Sequence, residues 1–190
     1  LLPEYEYKYS ASSPFGIASA AAGKVTANGK EYTLSKYTDT AKLMLKIGTA
    51  NIRGGAEDGY LQMMSVLKSN GITKMNGGIT DNNTDPRNID NYVAKFLSAA
   101  EKQKEYVDAM ECGNEMSLYS LKDKNDPAYI PADELYPVFY NCMYRPTYDA
   151  LKQNYPDITY VPTQASACET SWIEKFFGFG DIPSIWDEIK

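Results

Sequence analysis

Histidine is absent from the 190 residues, and its absence excludes more chemistry than any other feature of the composition. Ser-His-Asp and Cys-His nucleophile systems, His-Glu-x-x-His zinc sites and imidazole acid/base work all need that ring. Cysteine is scarce too. Cys112, Cys142 and Cys168 are far apart and show no Cys-x-x-Cys spacing, which argues against a zinc or redox site. An odd count leaves at least one thiol free: Cys112 reads as a small buried strand residue, and Cys142 and Cys168 can pair if they meet in space. No apolar run approaches the length of a bilayer span, so no membrane partner is expected. Leu1-Leu2-Pro3-Glu4-Tyr5 is not a signal peptide, so either one was removed or there was none. A net charge of −6 with no concentrated Lys/Arg run argues against nucleic acid or an anionic membrane surface. No Gly-x-Gly-x-x-Gly follows the first expected strand and no phosphate loop occurs; Gly178-Phe179-Gly180 lacks the third glycine. No cofactor or metal is therefore expected.

What is present suits one globular domain, with 43% hydrophobic residues. Sixteen tyrosines and the glycosylation acceptor Asn82-Asn83-Thr84 lean towards a secreted, extracellular setting. Residues 1–12 carry the alternation Tyr5-Glu6-Tyr7-Lys8-Tyr9, which fits an extended arm. Residues 13–190 form the body. Ser13-Pro14-Phe15-Gly16-Ile17 enters a first short strand, and residues 24–34 flank Asn28-Gly29, a strong hairpin signal, as an insertion.

Regular alternation follows. A helix from about residue 39 carries Leu43, Met44 and Ile47 on one face and ends at Gly48, and Thr49–Arg53 is a strand. A helix over Asp58–Ser69 buries Tyr60, Met63, Met64 and Leu67 and leads to the strand Ile72–Asn76, with Gly77-Gly78 opening a loop. The helix Asn88–Lys104 presents Ile89, Tyr92, Val93, Phe96, Leu97 and Ala100. Beyond residue 115 an irregular loop runs to Pro131, then a helix over Asp133–Asn154 bent at Pro137 and Pro146, the strand Ile158–Thr163, and a helix start at Thr170–Phe177. Such alternation predicts an α/β fold with about five parallel strands. Functional side chains then gather at the C-terminal strand ends: Arg53, Asn76, Asn114, Glu115 and Gln164.

The stretch Tyr106–Ser117 is central to function. Val107–Met110 suits a buried strand, and Glu111-Cys112-Gly113-Asn114-Glu115 follows at once. A carboxylate where a core meets a cleft can hold a proton near neutrality, and the neighbouring amide can bond a hydroxyl; a helix cap or solvated loop is the plain alternative.

The order of elements from about Ser13, Arg53 after the second strand and Asn114-Glu115 after the fourth resemble the retaining glycoside hydrolases of the (β/α)8-barrel clan. That resemblance implies a TIM-type barrel, here incomplete, and hydrolysis of O-glycosidic bonds by double displacement. Glu115 would be the catalytic acid/base, Asn114 would bond the sugar 2-hydroxyl and Arg53 would brace the nucleophile; an ordinary ion pair is the competing role for Arg53. Asn76 and Gln164 are substrate-binding candidates by position. Tyr119, Trp172 and Trp186 can stack on sugar rings or pack in the core. The second carboxylate of a retaining site stands about 5 Å from the first. The clan supplies it from the seventh strand, and Glu111 substitutes poorly because it precedes Glu115 on the same strand. A full barrel takes about 250 residues. The chain is thus expected to be the N-terminal part of a larger polypeptide, its nucleophile and the rest of the barrel lying elsewhere in the same or another chain. The partner would be an oligo- or polysaccharide. A scaffold or assembly subunit with a glycosidase-like fold, or a carbohydrate-binding domain, is the alternative to an enzyme.

Overall fold

The computed structural model describes residues 16–17, 23–27, 30–34, 37–46, 51–54, 58–79 and 83–162. In chain order these form β1 (Gly16–Ile17), β2 (Gly23–Ala27), β3 (Lys30–Leu34), α1 (Tyr37–Lys46), β4 (Asn51–Arg53), α2 (Asp58–Ser69) and β5 (Lys74–Ile79). They continue with α3 (Ile89–Gln103), β6 (Ala109–Cys112), a 3-10 turn (Met116–Leu121), α4 (Leu135–Val138), α5 (Arg145–Asn154) and β7 (Thr159–Pro162). The protein is an α/β fold. Five strands pair in the order β1-β4-β5-β6-β7, every pair parallel, while β2 and β3 form a separate antiparallel hairpin. A doubly wound sheet reverses its strand order at a switch point. Among the described strands the order simply follows the chain.

The register separates two faces. Met75, Gly77, Ile79, Met110, Cys112 and Tyr160 alternate with Asn76, Gly78, Ala109, Glu111, Thr159 and Val161. The first set meets the helices. Phe96 of α3 packs edge-on against Tyr160 at 6.1 Å, and a Cβ on Gly77 would collide with Gln103. The second set is short of large apolar side chains and carries Glu111, with Arg53 of the neighbouring strand in register on the same face.

Helix α3 shows why the alternation folds this way. Asn88 caps it, its side chain accepting from the Asn91 N–H, with Asp90 in the first turn and Lys102 in the last, both favourable to the helix dipole. It buries Tyr92, Phe96, Ala99, Ala100 and Gln103. The stripe is rotated from the expected one: Ile89 is exposed and Val93 and Leu97 are only half-buried, because Gln103 is drawn in to bond the backbone of β5. Truncating a ring such as Phe96 to Ala would cost about 3–5 kcal/mol. Helix α2 has the expected limits, but Tyr60 is exposed while Met63, Met64 and Leu67 are buried. In α1 the small residues Thr40 and Ala41 join Met44 in facing inward, and this turns Leu43 out to solvent. Ile47 and Gly48 lie outside the described residues. All seven methionines of the sequence are buried.

Three stretches differ from expectation. Strand β5 runs through Gly77 and Gly78 instead of ending before them, because the buried Gln103 amide donates to the Gly78 carbonyl (3.2 Å) and accepts from its N–H (3.0 Å). Residues after Glu115 do not start an irregular loop but a 3-10 turn, fixed by the buried Tyr119, whose hydroxyl donates to the Thr84 carbonyl at 2.9 Å. The helix over Leu135–Asn154 passes through a π segment at Phe139–Tyr144, just before Pro146, where proline has no N–H to continue the regular ladder. Cys142 carries a free thiol among the described residues, and Cys168, the partner its sequence allowed, lies outside them. No described helix is long and apolar enough to cross a membrane.

Candidate functional site

At the C-terminal edge of the parallel strands, on the face away from the helices, Arg53 of β4 reaches across β5 to β6. Its Nε donates to Glu111 Oε2 at 2.5 Å and its Nη2 to Glu111 Oε1 at 3.0 Å, a two-pronged pair in which the side chains are 34% and 15% exposed. The same Nη2 donates to Asn114 Oδ1 at 3.0 Å. Local sequence lets the two strands come close here. Position 78 on the intervening strand lies in register with Glu111 and is glycine; a Cβ there would come within 2.2 Å of the Glu111 carbonyl oxygen.

The turn that follows β6 is as constrained as the strand. Gly113 has φ +82, and a side chain on it would strike Met116. Glu115 has φ 46 and ψ 55, so it holds the left-handed conformation that costs a non-glycine residue about 1 kcal/mol or more. Two left-handed residues thus bracket Asn114. Asn114 is half-buried beside Arg53, and Glu115 is exposed, its carboxylate making no hydrogen bond among the described residues.

No family model, no curated protein and no solved structure matches this chain. What the site can do must come from its own side chains. Arg53 and Glu111 cancel each other's charge. Asn114 has its oxygen committed to Arg53, and its NH2 has no partner among the described residues. Glu115 adds a carboxylate open to solvent. Among the described residues no three His, Cys, Asp or Glu side chains are placed to hold a metal ion.

The other expected residues fall elsewhere. Asn76 shares the face and is in register with Arg53, but with its amide nitrogen turned to the Ala109 and Gly77 carbonyls (3.3 and 3.2 Å) it braces backbone. Tyr119 is buried and packs on Phe139, so it offers no stacking surface. Gln164, Trp172 and Trp186 lie outside the described residues, as does Asn82; the acceptor's Thr84 is buried with its hydroxyl bonded by Lys95. Glu111 is the residue that sequence reasoning undervalued. Its signal was available: an acid at one strand end and an arginine at another, both pointing to the same sheet face.

Two further features lie on the helix side of the sheet. Cys112, Thr147 and Tyr160 form a buried polar cluster, the Thr147 hydroxyl lying 3.4 Å from the Cys112 sulfur and 3.0 Å from the Tyr160 hydroxyl. Burial pushes the Cys112 thiol up to about 11 and lifts the Tyr92, Tyr144 and Tyr160 hydroxyls well above their ordinary range. A cavity of about 480 Å³ opens nearby, lined by Tyr140, Tyr144, Arg145, Tyr148, Asp149, Tyr160 and Pro162. It is on the face opposite Glu111.

Proposed function

We propose that this chain is the acid/base part of a glycoside hydrolase of (β/α)-barrel type. Parallel strands taken in chain order, with helices between them, are what the first half of such a barrel requires. The observation that carries the proposal is the join of Arg53, Glu111 and Asn114 at the C-terminal strand ends, immediately before Glu115. In this reading Asn114 donates to a sugar hydroxyl. Glu115 protonates the departing glycosidic oxygen and later takes a proton from the attacking water. A bound sugar would also strip water from Glu115, which is exposed in the free protein. The nucleophilic carboxylate would come from residues outside those described.

The deciding experiment is Glu115→Gln in the full-length protein. Turnover of an unactivated glycoside should fall by roughly 10²–10⁴-fold with binding retained, the usual contribution of a positioned general acid. Unchanged turnover would remove Glu115 from the mechanism. A second reading, sugar binding without hydrolysis, is favoured by the exposure of Glu115 and its lack of any hydrogen-bond partner among the described residues. It predicts binding in the wild type with no turnover to lose.

A further inference from the structure

Asn114 is anchored by one atom, and that anchor decides what it can offer. A guanidinium has only donors, so the Asn114 side chain must turn its oxygen to Arg53 Nη2, as it does at 3.0 Å, and its NH2 away. The direction is no better defined than Arg53 itself. Arg53 is held by Glu111 on two prongs, 2.5 and 3.0 Å, and the glycine at 78 lets β5 lie close against the Glu111 backbone that carries this carboxylate. The pair also sets the charge of the site. Without Glu111 an arginine half-exposed on this face would present a full positive charge to any ligand; with it, the remaining charge is that of Glu115 alone.

We propose that Glu111 is a positioning residue that makes the site specific for neutral, hydroxyl-bearing ligands. It rests on the sugar-site assignment above and adds a substrate class to it. Acting through Arg53, Glu111 aims the Asn114 NH2 at a hydroxyl oxygen, and by cancelling the Arg53 charge it removes the attraction that would draw a uronic acid. Arg53 is therefore an anchor and not a carboxylate clamp.

The test compares matched neutral pyranosides and pyranuronides on the full-length protein and its Glu111→Gln variant, which keeps an acceptor for Arg53 Nε but loses the charge. The wild type should prefer the neutral sugar, and the variant should shift that preference towards the uronide by about tenfold, the equivalent of one hydrogen bond to a charged group. A merely structural role would weaken both ligands equally, so an unchanged ratio overturns the proposal. Asn114→Asp is the second variant. It replaces the outward NH2 by oxygen and should lose about tenfold in neutral-sugar affinity; wild-type affinity would overturn the proposal as well. Side-chain amide NMR provides a readout that needs no ligand. The Asn114 NH2 resonances should move in Glu111→Gln, and if they stay fixed the positioning role is wrong even if sugars bind. Should the wild type bind neither sugar, the sugar-site assignment itself fails, and the amide resonances still decide whether Glu111 positions Asn114.

Discussion

Raising the pH should unfold this protein through its interior before its surface charge becomes extreme. Tyr92 and Tyr144 are buried, and burial first, then the neighbouring Cys112 thiol, keeps their hydroxyls protonated well above the ordinary tyrosine range. Cys112 is likewise held up to about 11 by burial. Each group has a higher pKa folded than unfolded. Their contribution is complete below the unfolded values, about 8.5 for cysteine and 10 for tyrosine, and is lost as pH rises past them. If the two tyrosines stay neutral in the fold and Cys112 titrates near 11, the loss between pH 7 and pH 11 is roughly 6 kcal/mol. That matches the whole stability of a modest domain, about 5–15 kcal/mol. Urea unfolding followed between pH 8 and 11, with tyrosinate absorbance recorded in parallel, should show a steep fall in midpoint above pH 9.5 and a late, cooperative burst of tyrosine ionisation. Tyr92→Phe is the control. Among the described residues the buried Tyr92 hydroxyl meets no geometric hydrogen-bond partner and has only the weakly polar Cys112 sulfur as a neighbour, so its removal should be neutral or stabilising at pH 7 and should flatten the alkaline slope by about 1.4 kcal/mol per pH unit. A midpoint that stays level to pH 11, or a slope unchanged by that substitution, would refute the reasoning.

Glu115→Gly should stabilise the fold by about 1 kcal/mol, since glycine takes the left-handed conformation without strain; an equal or lower thermal midpoint would count against strain at the turn. Gln103→Leu should cost about 2–3 kcal/mol, because it leaves the buried N–H and carbonyl of Gly78 unbonded while adding apolar bulk beside Gly77. A chemical-denaturation midpoint within error of wild type would show that water replaces the amide. Of the two described cysteines only Cys142 should react with a thiol reagent in the native state, with Cys112 protected until unfolding; mass mapping of the modified peptides checks this.

The large elements were legible because their patterns are redundant. Helix α2 begins and ends where Asp58 and Ser69 suggested, α3 spans Ile89–Gln103, within a residue of the expected limits, and the hairpin flanks Asn28-Gly29 as expected. Failures came where a single long-range contact overrides a local signal. Gly77-Gly78 reads as a loop because glycine usually breaks strands, yet here a distant glutamine and the neighbouring strand occupy the space of the missing side chains. Leu43 reads as core but is turned out by two small neighbours on the same helix. In the site, Arg53 and Asn114 were recognised as candidates and do touch. Their link through Glu111 was not, because pairing between strands 58 residues apart leaves no periodic mark along the chain.

The seven buried methionines also bear on how such a chain can change over generations. Unbranched thioether side chains bend to fill whatever gap a neighbour leaves, so an interior rich in them forgives substitutions that a core of branched residues would resist. Drift can therefore proceed beneath the helices while the tight turn around Asn114, where almost no other backbone fits, stays put.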